Sequence, residues 1–148
     1  MSKKRLAFWG VFLVLGLMSA AGCKSGGSPG SPSQPTPDVT LKDDPSFAAD
    51  IQSIFNASCS LAGCHNASAS GGLVLLQGQA YINLVNVVSA GEPPKVRVIP
   101  NDAGNSYLVI KLENRQSFGS RMPQGASALS ANRIQNIKNW INKGARDN

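Results

Sequence analysis

With 148 residues and a formal net charge of +6, the chain has room for one ordinary domain. Beyond Arg5 its basic residues are scattered along the sequence, which argues against the clustered Lys and Arg of a nucleic-acid surface. A single histidine excludes a Cys2His2 zinc site and leaves the serine-rich stretches without a spare base for nucleophilic catalysis.

Lys3, Lys4 and Arg5 precede an apolar run from Leu6 to Leu17, after which Ser19, Ala20, Ala21 and Gly22 lead to Cys23. A positive start, an apolar middle and a small-residue end form the layout of an export signal, so residues 1–22 are expected to be removed. The stretch from Leu6 to Gly22 is 17 residues, short of the roughly 20 that a membrane-spanning helix needs. Taking Lys3, Lys4 and Arg5 from the total of +6 leaves +3 on the exported chain.

Ala20-Ala21-Gly22-Cys23 resembles the lipobox of bacterial lipoproteins, with Ala20 where that motif usually has Leu. The resemblance implies cleavage before Cys23, acylation of Cys23 and, with Lys24 next, placement at the outer membrane. More than one acyl chain is needed for stable anchoring, and such lipoproteins carry several. Residues 23–38 are dominated by Gly, Ser and Pro and form no core of their own; they are expected to be a flexible linker.

The globular part is expected over residues 39–148. Asp44 as cap and Pro45 in the first turn predict a helix whose apolar face is Phe47, Ile51, Ile54 and Phe55, ending at about Asn56. Two further short helices are expected at residues 80–88 and 106–112, the second capped by Asp102 or Asn105, with a short extended segment at Val96 to Ile99. The last helix has Ser130 as cap, Leu129 stapling onto Ile134, Gly144 as terminator and an apolar stripe of Ile134, Ile137 and Ile141 flanked by Trp140. Asn132, Arg133, Asn136 and Lys138 are expected on its outer side. The fold class read from these elements is all-α, with long Gly- and Pro-punctuated loops that need something to wrap around.

The chemistry is concentrated in Cys59-Ser60-Leu61-Ala62-Gly63-Cys64-His65 and in Arg121-Met122-Pro123. An exported protein enters an oxidising compartment, so Cys59 and Cys64 are expected either as a disulfide or attached to a group. A cysteine joined directly to a histidine, with a second cysteine upstream, resembles the haem attachment site of c-type cytochromes, here with four intervening residues instead of two. The resemblance extends through Gly71-Gly72-Leu73, Ile99-Pro100-Asn101-Asp102, Asn105-Ser106-Tyr107-Leu108, Arg121-Met122-Pro123 and Asn139-Trp140-Ile141-Asn142-Lys143-Gly144-Ala145. That order is similar to small mono-haem cytochrome c domains of the class I type.

The resemblance implies crossed N- and C-terminal helices and one covalent haem c on Cys59 and Cys64, with His65 and Met122 as the axial metal ligands. It implies a membrane-tethered, periplasm-facing carrier of single electrons that serves redox partner proteins and is not itself an enzyme. In such domains a proline carbonyl after the motif orients the histidine, but no proline lies between His65 and Pro93; a carbonyl near Gly71 to Leu73 is the expected substitute. Arg97, Arg115 and Arg121 are cations of a kind that pairs with haem propionates, none singled out. Two alternatives stay open: a haem protein with an open distal site for a gas or peroxide, and a haem-free structural lipoprotein with a Cys59–Cys64 disulfide.

Overall fold

The helix that runs into the cysteine pair begins two residues beyond the expected cap. Ser46, not Asp44, is its N-cap: the Ser46 side chain accepts from the Ala49 amide at 3.3 Å, and Asp50 returns the bond by accepting from the Ser46 amide at 2.9 Å. Asp44 is taken instead by a two-oxygen pairing with Arg146 at 2.6 and 2.7 Å. The first turn, Phe47–Ile51, is π-helical and continues as α1, Gln52–Ser58, whose C-cap is Cys59. The remaining free amides of that turn, Phe47 and Ala48, are satisfied by Asn148, which closes one end of the described residues against the other.

The computed structural model describes residues 38–148. The expected signal (1–22), the lipidation site Cys23 and the linker up to residue 37 lie outside the described residues. No helix among the described residues is long and apolar enough to cross a membrane.

Three more helices follow: α2, Ala80–Leu84; α3, Tyr107–Leu112; and α4, Ala131–Asn142. Between α1 and α2 lies one short 3-10 turn, Ser70–Gly72. The expected helix over 80–88 stops early. At Val85 the backbone turns extended and passes through a turn at Asn86 (φ +60°), and the β-branched residues pair instead: Val85 with Val98 and Val88 with Val96, as isolated bridges. The segment expected to be extended, Val96 to Ile99, is thus held by the residues expected to be helical. Ser106 precedes α3, but its hydroxyl is spent on the Ile99 amide (2.9 Å) and the Asp102 carbonyl (2.7 Å). Asp102 closes the turn before it, accepting from Asn105.

Helix α4 follows its sequence signals at the start. Ser130 accepts from the Arg133 amide, and buried Leu129 and half-buried Ile134 join the core there. Its expected polar face is not a solvent face throughout. Asn136 is only 2 % exposed, accepting from the Lys42 amide at 2.8 Å and donating to the Thr40 carbonyl at 2.8 Å. Asn132 donates to Val39 O and Asn139 to Lys42 O. The three amides read the edge of the incoming 39–42 segment as a neighbouring strand would, satisfying its backbone groups.

The core is centred on Phe47. Its ring lies 5.1 Å from Trp140, 5.3 Å from Tyr81 and 6.3 Å from Phe55, so the first turn packs against α4 and α2 through edge-on and tilted aromatic contacts. Ile51, Ile54, Phe55, Ile137 and Ile141 complete it. This packing is what brings the ends of the domain together and leaves the loops between them around a cavity.

Candidate functional site

Cys59 ends α1, its amide still bonded to Phe55 O at 2.8 Å, so the first cysteine is fixed by the helix. The four residues after it are absorbed in a tight turn closed by the Cys64 amide on Leu61 O (3.0 Å), with Gly63 at φ +76°, a backbone conformation that glycine adopts without cost. The His65 amide then returns to Cys59 O at 3.0 Å. Two residues beyond the common spacing therefore deepen the turn and leave the Cys64-His65 junction in place. The two thiols are not joined to each other. Cys64 is exposed; Cys59 is partly covered, and burial, with a smaller contribution from Cys64, pushes its thiol up to about 12.

His65 is half-buried and oriented from behind. Its Nδ1 lies 3.2 Å from Leu73 O, and its own carbonyl accepts from the Leu75 amide at 2.7 Å. With the proton on Nδ1, donated to that carbonyl, Nε2 carries the free lone pair, the state a metal-ligating imidazole requires. The carbonyl expected between Gly71 and Leu73 is thus that of Leu73.

A cavity of about 390 Å³ lies beside these residues, and its lining includes Cys59, His65 and Met122. The walls between them are mainly apolar, with Leu73, Leu75, Leu84, Leu108 and Leu112. Its size falls in the usual range of cofactor pockets. Cys64 is not part of the lining.

Met122 is neither a loop tip nor a deep core residue. It is half-buried and packs against the edge of the core. Its amide is held by Lys111 O at 3.0 Å, while Lys111 Nζ donates to Ser120 O and Arg121 to Ala126 O at 2.9 Å. The loop is also tied across the cavity side by Glu92, whose carboxylate accepts from the Ser117 hydroxyl and pairs with Lys95 at 3.6 Å. The Ser117 hydrogen bond, with Tyr107 and Lys95 adding to it, holds the Glu92 carboxyl below the usual range.

Of the three candidate arginines, only Arg97 lines the cavity. Arg115 is engaged by Glu113 and Gly104 O, and Arg121 by its own loop. Arg97 is 7 % exposed. Sequence reading did not single it out, nor Glu92, nor the leucines of the lining, because nothing local distinguishes a buried arginine from a surface one. Comparison with protein-family models, with curated proteins and with solved structures finds no match to this chain.

Proposed function

We propose that this chain is a membrane-tethered c-type cytochrome that carries single electrons. One haem c is attached through Cys59 and Cys64, with His65 and Met122 as axial ligands. The observation that carries the reading is the shared cavity: one thiol of the pair, the histidine and the domain's methionine all line it. Nothing local in the sequence requires Met122 to meet His65, since a long stretch of chain separates them.

The residues present suit the group. Apolar leucine walls accept a porphyrin face, and the imidazole offers Nε2 because Nδ1 is engaged. Arg97 is a buried cation at the cavity whose side-chain partners are the carbonyls of Asn83 and Gly72. Among the described residues no carboxylate lies within ion-pairing distance of it. A buried charge without a counter-ion is costly, and a ligand bearing carboxylates relieves that cost.

Bound haem would supply a one-electron iron couple, which methionine ligation biases toward the reduced state. The chain's own part is to hold His65 in one tautomer and orientation, to keep water from the pocket with its leucines, and to hold Met122 through the Lys111 and Glu92 contacts. With His65 and Met122 both holding the iron, no open site would be left for a substrate, and the protein would act as a carrier rather than an enzyme. Acylated Cys23 and the linker at residues 23–38 would keep it at the cell envelope, facing the periplasm, where redox partners dock through a small, weak interface.

The test is an absorption spectrum, oxidised and dithionite-reduced, of protein exported from a host that attaches haem c. Sharp reduced c-type bands and the weak far-red band of sulfur-ligated ferric iron are expected. Haem bands without the far-red feature would remove Met122 from the iron. A colourless protein with no covalent mass addition would end the cytochrome reading.

A further inference from the structure

The carbonyl that orients His65 sits in a weak place. Leu73 follows Gly71 and Gly72, both in left-handed conformation at φ +65° and +66°. Two adjacent glycines give the backbone more freedom than any other pair of residues. The local turn is closed by the Gly72 amide on Ala69 O at 2.8 Å and by a longer bond of 3.4 Å from the Leu73 amide to Ser70 O, so the local chain alone holds the Leu73 carbonyl only loosely.

Arg97 supplies what that segment lacks. Its Nη2 donates to Gly72 O and its Nη1 to Asn83 O, each at 2.8 Å. The backbone of Arg97 is itself fixed: its amide donates to Val87 O at 2.7 Å and its carbonyl accepts from the Leu108 amide at 2.9 Å. The neighbours Val96 and Val98 are bridged to Val88 and Val85. The guanidinium therefore fastens the residue before Leu73 to the rigid part of the domain, at the end of α2.

We infer that Arg97 is a positioning residue for the histidine ligand. It fixes the Gly72 carbonyl, hence the Leu73 carbonyl, hence the Nδ1 hydrogen bond that sets how strongly His65 donates to iron. The inference rests on the cytochrome reading above. A hydrogen bond at Nδ1 makes an imidazole a more basic ligand, and a more basic ligand favours ferric iron. Loosening the carbonyl must raise the reduction potential. Arg97 acting only as a cation near the haem carboxylates predicts a different pattern, because a lysine would preserve that effect.

The experiment compares the haem-loaded full chain with Arg97→Lys, which keeps the charge but cannot bridge two carbonyls with the same fork geometry. Expected are a higher potential in the variant, an unchanged far-red sulfur band, and exchange of the His65 Nδ1 proton in the reduced protein faster by about fivefold or more, the factor a typical net hydrogen bond is worth. A coloured variant whose potential and proton exchange match the parent, or whose potential falls, overturns the inference. If Arg97→Lys does not mature, the parent protein decides. The Arg97 Nη protons should be protected from exchange along with His65 Nδ1, and rapid exchange of the former overturns the proposal. A colourless parent removes the cytochrome reading first and this inference with it.

Discussion

At the scale of single residues, the site divides into groups that do the chemistry and groups that hold them. On the proposed reading Cys59, Cys64, His65 and Met122 would belong to the first set, and the Leu73 carbonyl, Arg97, Lys111 and Glu92 to the second. Met122→Ala separates them. Met122 contributes little to the core, so the variant should fold, attach haem and lose the far-red sulfur band, turning a low-spin spectrum high-spin. A spectrum identical to the parent would show that another group, or none, sits on the distal side. His65→Ala should lose the proximal nitrogen while both cysteines remain, giving a protein that carries covalent haem mass with grossly altered bands.

At the scale of elements, α4 does two jobs that its sequence pattern does not separate. One face fills the core; the other, through Asn132, Asn136 and Asn139, terminates the backbone of residues 39–42. Asn136→Ala should therefore be more damaging than its place on the polar side suggests. It removes the partner of the Lys42 amide and of the Thr40 carbonyl, two part-buried hydrogen bonds each worth about 1 kcal/mol. Urea unfolding should show a lowered midpoint with little change in slope. Ser130→Ala, which removes one helix cap, should cost about 1 kcal/mol by the same measurement. An Asn136 variant no worse than the Ser130 variant would mean that residues 39–42 are not docked in solution.

At the scale of the whole molecule, the Phe47, Tyr81 and Trp140 cluster joins the two ends of the domain and so controls whether the cavity exists. Trp140→Ala should cost about 3–5 kcal/mol, the usual loss for a large buried aromatic, and should reduce the yield of haem-loaded protein in parallel with the melting temperature. Acid should act at this scale too. The Asp44 carboxyl is held low by its hydrogen bonds to Arg146, and Glu92 by Ser117. A carboxyl whose folded value lies below its unfolded value stabilises the fold above the unfolded value, and that contribution is lost as pH falls through the folded one. Melting temperature should hold from neutral pH to somewhat above the ordinary carboxylate value of about 4 and decline below it. Added salt should weaken the exposed Asp44–Arg146 share. A melting temperature that rises on acidification below that point would contradict the assignment.

Much of the candidate site was legible in the sequence because its parts are covalent neighbours. Cys64 and His65 are adjacent, Cys59 is fixed relative to them by a short turn, and helix starts such as Ser130 announce themselves within a few residues. The proposed ligand set was readable as composition, from one histidine and one methionine in the globular part. What only the tertiary structure decided depends on burial and long-range meeting. That Met122 lines the same cavity as His65, that the orienting carbonyl is Leu73 and that Asn136 is buried are matters of what packs over what. So too is the choice of Arg97, alone of three arginines, as the one turned inward with carbonyl partners. A periodic pattern records which face of an element is polar; it does not record whether that face meets water or the backbone of a distant segment. That choice is made when the aromatic cluster closes the two ends of the domain.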